Sequence, residues 1–155
     1  MTLRTLQRSD LDQVLAIENA VHVSPWTRET FETCIRTACK GWVVEENDKI
    51  IGFIMVSLQA QECHILNVCV AHAAQRQGLG QKLMEHAIQD AKRSGIGIAY
   101  LEVRRSNTRA ISLYRKMSFQ MIGERKEYYP TVSGREDALI FAKSLVLRMD
   151  DFPSP

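Results

Sequence analysis

The stretch Val68-Cys69-Val70-Ala71-His72-Ala73-Ala74-Gln75-Arg76-Gln77-Gly78-Leu79-Gly80 decides how the chain folds. It is the end of an apolar run, a short loop, and two glycines that open a helix. From Gln81 to Arg93, Leu83, Met84, Ala87, Ile88 and Ala91 recur at intervals of three and four. Gln81, Lys82, Glu85, Gln89 and Asp90 fall on the opposite side, which is the amphipathic helical period. A helix start carries unpaired backbone N–H groups and about half a positive charge, so this turn can hold a phosphate. Glycine lets the backbone approach an anion and adopt positive φ, and Arg76 adds a cation in the same loop. The plain alternative is a strand-to-helix turn whose glycines serve geometry alone, since short glycine motifs are weak by themselves. Two familiar glycine loops fit poorly. A dinucleotide fingerprint needs a third glycine where Leu83 stands, and a P-loop needs Gly-Lys-Ser/Thr where the chain reads Gly80-Gln81-Lys82-Leu83.

Upstream, Met1 to Leu6 alternates like an edge strand, and Ser9-Asp10 offers capping side chains to a helix running to about Val21. Pro25 disfavours helix at Ser24, and Thr27 then caps a second helix, Arg28 to about Thr37. Gly41–Glu46 and Lys49–Leu58 read as strands joined by Asn47-Asp48, a natural two-residue turn. The run Ile50 to Val56 predicts a strand buried on both faces, and Cys63–Val70 is the strand that enters the glycine loop. Downstream, Ser94-Gly95 stops the helix. Ile98–Val103 is the next strand, parallel to Cys63–Val70 through the helical crossover. Asn107 opens a helix over Thr108–Met117. Phe119–Arg125 and Ala138–Leu147 then read as strands around a polar loop, Glu127–Asp137, before a tail at 150–155. The order β-α-α-β-β-β-α-β-α-β-β predicts an α/β protein, a mixed sheet flanked by helices.

A chain of 155 residues buries a full core as one domain, here 1–149, without disulfides or metal. A net charge of +2 gives no argument for nucleic acid, and no apolar run approaches the ~20 residues of a membrane helix. The start lacks a secretory core, so the cytoplasm is the expected compartment. Cys34, Cys39, Cys63 and Cys69 form no Cys-x-x-Cys pair, and His22, His64, His72 and His86 do not complete a ligand spacing. No metal site is expected.

Gln75-Arg76-Gln77-Gly78-Leu79-Gly80 has the form Gln/Arg-x-x-Gly-x-Gly/Ala and resembles the pyrophosphate loop of the GCN5-related N-acetyltransferases, which hold acetyl-coenzyme A. The order of elements is also that family's, over nearly the whole chain. The resemblance implies a central, largely antiparallel sheet of about seven strands with about four helices. It implies cofactor contacts from Val68, Cys69, Val70, Arg76, Gln77, Gly78, Leu79, Gly80 and Gln81.

Glu102 lies within Ile98-Ala99-Tyr100-Leu101-Glu102-Val103, a strand read as mostly buried. A carboxylate there costs desolvation unless it is paired or used, and a desolvated carboxylate suits general-base work. An ion pair with Arg104 or another cation explains it equally well. Tyr114 sits on the apolar stripe of its helix, where an aromatic is ordinarily core. Its surroundings add weight. Leu101-Glu102-Val103-Arg104-Arg105-Ser106-Asn107-Thr108-Arg109-Ala110-Ile111-Ser112-Leu113-Tyr114 resembles the family's Leu-Glu-Val-Arg-x-x-Asn-x-x-Ala-x-x-Leu-Tyr. By that resemblance Tyr114 faces the coenzyme A sulfur and Asn107 bonds the pantetheine arm.

Tyr128-Tyr129-Pro130 with Gly134-Arg135-Glu136-Asp137-Ala138 is similar to the substrate loop of the bacterial ribosomal-protein-alanine N-acetyltransferases. Ala20-Val21-His22-Val23-Ser24-Pro25-Trp26-Thr27 is similar to their other specificity segment, with Thr27 where Ser is usual. The resemblance implies the N-terminal alanine of a small-subunit ribosomal protein as acceptor, with other protein N-termini, a lysine or a small amine as alternatives. A non-catalytic acyl-coenzyme A-binding module is a further one. It also implies direct attack in a ternary complex. Trp26, Tyr128 and Tyr129 would then border the substrate; alternatively Trp26 staples the second helix to the core. Glu102 would take the amine's proton, directly or through water, and Tyr114 would protonate the thiolate. A backbone amide near Cys69 or Val70 would support the oxyanion if a bulge frees the strand edge. An acetyl relay on Cys69 lacks a base partner at a readable spacing.

Overall fold

The computed structural model describes residues 1–146. The strands follow the apolar runs: β1 (Thr2–Thr5), β2 (Cys39–Glu46), β3 (Lys49–Ser57), β4 (Glu62–Val70), β5 (Ile98–Arg104), β6 (Gln120–Thr131) and β7 (Gly134–Ser144). The helices are α1 (Leu11–Val21), α2 (Arg28–Arg36), α3 (Leu79–Arg93) and α4 (Thr108–Lys116), with single 3-10 turns at Arg8–Asp10 and His72–Ala74. The seven strands form one sheet in the order β1-β2-β3-β4-β5-β7-β6. Among the described residues only β4 and β5 pair in parallel, and α3 makes the crossover between them.

Local chemistry accounts for most boundaries. Asn47 and Asp48 both take positive φ (53° and 62°), the tight turn whose twist matches the strands it joins. Thr27 caps α2 by accepting from Thr30 N–H at 3.2 Å. Gly95, at φ 79°, ends α3 in the left-handed region.

The sheet is covered on both sides. Ile54 and Val56 face α3 in one cluster with Leu83, Met84, Ala87 and Phe141. Ile50, Phe53 and Met55 face α1 and α2 in the other, with Leu11, Val14 and Phe31. Thus β3 is buried on both faces as its unbroken apolar run predicts. Phe31, Phe53 and Leu83 are wholly enclosed, and each such side chain contributes about 1.5–3 kcal/mol.

Three expectations are corrected. Glu127–Asp137 is not a loop: β6 and β7 continue through it as a hairpin, pairing Tyr129 with Glu136 and Thr131 with Gly134. Both faces of that extension are largely exposed, so its residues never show the alternation that marks a half-buried strand. The Asp10 carboxylate does not cap α1. It accepts from Arg4 at 2.8 and 2.9 Å and from Gln7 N–H at 2.8 Å, tying β1 to the helix entry. Finally, α3 begins at Leu79, two residues before Gln81. Leu147, the last residue expected in the final strand, and the tail 150–155 lie outside the described residues.

Candidate active site

The site is a split in the sheet. Strands β4 and β5 pair only from Glu62↔Ile98 to Ile65↔Leu101, although both run on for several residues. A bulge at Leu66, where Met55 pairs with Asn67 and Val56 with Ile65, bends β4 as the two part. Ala71 N–H donates to Ile51 O at 2.9 Å. Antiparallel alternation therefore turns the amides of Asn67 and Cys69 toward β3, and those of Val68 and Val70 into the split. Gln75 Nε2 donates to Val70 O at 3.0 Å, which leaves the Val70 N–H facing the open gap. Of the Cys69 and Val70 amides, that of Val70 faces the split and that of Cys69 is held in the ladder.

At the wide end of the split lies a cleft lined by Val68, Cys69, Val70, Arg76, Gly78, Leu79, Gly80, Gln81 and Asn107; Gln77 is not among its lining residues. Gly78 takes φ 77° at the N-cap of α3 and brings no capping side chain. The first helical bond is Lys82 N–H to Gly78 O at 3.1 Å, so the amides of Leu79, Gly80 and Gln81 have no intrahelical acceptor. Arg76, itself left-handed at φ 66°, brings a cation to the same mouth. Unpaired amides, the helix dipole and a guanidinium together suit a diphosphate. On the far wall Asn107 caps α4, its Oδ1 accepting from Ala110 N–H at 3.2 Å. Its Nδ2 remains to donate into the cleft.

Tyr114 lines both this cleft and the central cavity within the split. Its ring is 6% exposed and packs edge-on against Phe119, with centroids 6.1 Å apart. Burial pushes its hydroxyl up to about 12, with Tyr129 adding to the effect, so it is a neutral donor through the physiological range. Burial likewise raises Tyr129 to about 12, and the charge of Glu102 reinforces it. A folded-state pKa above the unfolded value of about 10 favours the native state below pH 10 and loses that benefit as pH rises toward 12. We therefore expect stability to fall steeply between about pH 10 and 12. Denaturant titration of Tyr114→Phe should show a shallower fall across that window; an unchanged slope would contradict the burial.

Glu102 is less buried than its strand suggests. β5 alternates strictly, and Glu102 lies on its half-open face, lining the central cavity and a neighbouring groove. Its Oε1 pairs with Arg125 Nε at 3.0 Å, whereas Arg104 pairs with Glu136 at 3.1 Å. Trp26, Tyr128 and Tyr129 border that groove. The Trp26 ring also packs at 5.0 Å on Phe31 of the core, as a staple for the second helix would. Tyr128 and Tyr129 meet edge to face at 5.0 Å, with Arg125 over the first ring and Arg104 over the second. The Cys69 thiol is buried, and burial together with Glu18 pushes it up to about 12. A thiol held protonated is a poor nucleophile, which speaks against an acetyl relay.

Sequence reasoning missed a polar group beneath the cavity. Glu18 is 1% exposed; its Oε2 accepts from Trp26 N–H at 2.9 Å and from Asn67 Nδ2 at 3.1 Å. His22 Nε2 stands 3.1 Å from Asn67 Oδ1. Donor atoms of Glu18, His22 and Cys69 lie within 4.8 Å of one another, a gathering no linear spacing reveals. One signal was available: Glu18 falls four residues after Val14 and seven after Leu11, on the apolar stripe of α1.

The cleft with unpaired amides at its mouth opens through the split strands toward Glu102, Tyr114 and the aromatic groove, an arrangement suited to acyl transfer. The model of the acetyltransferase (GNAT) family matches residues 10–119, and the chain belongs to that family. Among its relatives is the ribosomal protein bS18-alanine N-acetyltransferase of Escherichia coli K12, 36% identical over 141 residues, covering 91% of this chain and 95% of that one. The enzyme of the same name from Haemophilus influenzae is 32% identical over 138 residues, 88% and 94% of the two chains. The crystal structure of the Escherichia coli ribosomal-protein-S18-alanine N-acetyltransferase superposes with a TM-score of 0.90 at 33% identity, covering 99% of each chain. Arabidopsis thaliana NAA60 in complex with acetyl-CoA shares the fold at TM-score 0.82 and 18% identity, over 92% of this chain and 97% of that one. The mixed, mostly antiparallel seven-stranded sheet expected from the resemblance is the observed one. Among the described residues no helix is long and apolar enough to cross a membrane.

Proposed function

We propose that this protein transfers the acetyl group of acetyl-coenzyme A to the N-terminal alanine amine of ribosomal protein bS18. The observation that carries the reading is likeness over nearly the whole chain to enzymes of that name. The cleft fits the cosubstrate. The amides of Leu79, Gly80 and Gln81 with Arg76 would hold the diphosphate, and Asn107 Nδ2 would hold the pantetheine arm. The Val68 and Val70 edge would take its remaining amides as an added strand would.

Within the chain, Val70 N–H would support the developing oxyanion and Tyr114 O–H would donate to the departing sulfur. Glu102, on the groove side, would accept a proton from the amine, directly or through water. Trp26, Tyr128 and Tyr129 would wall in an extended peptide end. Placing amine and thioester together contributes most, roughly 7–11 kcal/mol of the barrier.

The α-amine suits this modest base. With a pKa near 8 about one-tenth is neutral at pH 7, against about one in 2,500 for a lysine. The test offers acetyl-coenzyme A with a peptide of the bS18 N-terminus, an N-blocked lysine peptide and polyamines. The alanine peptide should react on the order of 10²-fold faster than the lysine peptide, in line with the ratio of neutral amines. Faster turnover of lysine or a polyamine would overturn the assignment.

A further inference from the structure

Glu18, Asn67 and His22 form an oriented hydrogen-bonded chain on the wall of the central cavity, and no step above uses it. Its polarity can be read from its fixed end. Glu18 Oε2 already accepts Trp26 N–H, so Asn67 turns its Nδ2 donor to Glu18 and its Oδ1 to His22. An amide oxygen only accepts, and His22 Nε2 at 3.1 Å therefore carries the hydrogen. In the neutral ring Nδ1 then keeps its lone pair. Among the described residues Glu18 Oε1 is buried without a hydrogen-bond donor, and it lies 3.3 Å from the same Nε2. An imidazole held from behind by acceptors, with no hydrogen-bond partner on its other nitrogen among the described residues, is the arrangement of a general base.

Location adds a second observation. Among the described residues the titratable side chains that line both the cofactor cleft and the central cavity are His22, Tyr114 and Arg104. Arg104 is occupied by Glu136 and the Pro130 carbonyl. Glu102 lines the cavity and the groove but not the cofactor cleft.

We propose that His22, through Nδ1, is a catalytic proton acceptor for the attacking amine, with Glu18 and Asn67 as positioning residues. The proposal rests on the acyl-transfer reading but not on which amine is acetylated. An ammonium sheds two protons on becoming an amide. The N–C bond forms, the C–S bond breaks, and Tyr114 gives one proton to sulfur. Glu102 takes one proton from nitrogen and His22 the other. The proton on His22 restores the Tyr114 phenol, and the one on Glu102 leaves to solvent, so one proton is released per turnover.

The test compares full-length wild type with His22→Gln, which keeps a donor toward Asn67 but no basic nitrogen, and with His22→Ala. In His22→Gln kcat should fall about 10²-fold while the KM values for peptide and acetyl-coenzyme A stay within about twofold. Added imidazole should raise the His22→Ala rate at least tenfold and saturably, a response that a structural role would not produce. A His22→Gln kcat within about twofold of wild type, or a loss in His22→Ala that imidazole does not restore, would overturn the proposal. Should wild type ignore the alanine peptide but acetylate another amine, the substrate assignment fails and the same variants judge His22 on that amine. Transfer to no amine sinks both.

Discussion

Tyr114→Phe should slow acetyl transfer by about 10²–10³-fold while coenzyme A affinity stays within about threefold. The substitution removes one oxygen and leaves the ring, which packs on Phe119 inside the main core. The walls of both cavities are therefore preserved. What disappears is a phenolic donor at their junction. A phenol pushed up to about 12 is a weak acid beside a thiol near 8.5, so complete proton transfer to sulfur is uphill unless the proton is promptly replaced. Tyr114 would act first as a hydrogen-bond donor to charge building on sulfur, and only then as the proton source. That sequence sets the expected size, since loss of a single preorganised donor to a developing charge costs about 2.7–4 kcal/mol. Thiol release gives kcat and calorimetry gives the affinity. Equal losses in both would make Tyr114 part of the pocket wall.

The elements that carry this chemistry differ in how plainly the chain announces them. The glycine loop, the Asn47-Asp48 turn and the Thr27 cap are local events, where a few adjacent side chains settle the backbone. They read directly. The strand pairing around β4 and β5 also follows from an element order that admits one sensible crossover. Legibility ends where burial and partners come from distant parts of the chain. The outer end of the β6–β7 hairpin is exposed on both faces and has no hydrophobic period to read. The partner of Glu102 is Arg125, across two strands, where the sequence offers Arg104 as the nearest cation. The Glu18–Asn67–His22 chain joins α1 to β4 across 49 residues, and only the register of a carboxylate on an apolar stripe hints at it.

Glu102→Gln should lower kcat/KM about 10²-fold with little change in stability, because the role at issue is taking a proton and not holding the sheet together. Its ion pair with Arg125 is the competing account. At 30% exposure for the carboxylate side chain and 55% for the arginine, such a pair contributes about 0–1 kcal/mol. That is too little to make Glu102 a structural necessity. It is also too little to lock the carboxylate away from an incoming ammonium, which can compete for it on favourable terms. Arg125→Met separates the two accounts. If Glu102 serves only to pair with Arg125, both variants should behave alike, losing less than about 1 kcal/mol of stability and no more than a few-fold in rate. If Glu102 accepts the proton, Glu102→Gln alone loses the two orders of magnitude, and Arg125→Met stays within about tenfold of wild type. The double variant should then match Glu102→Gln, since an arginine acting through that carboxylate has nothing left to influence once the carboxylate is gone.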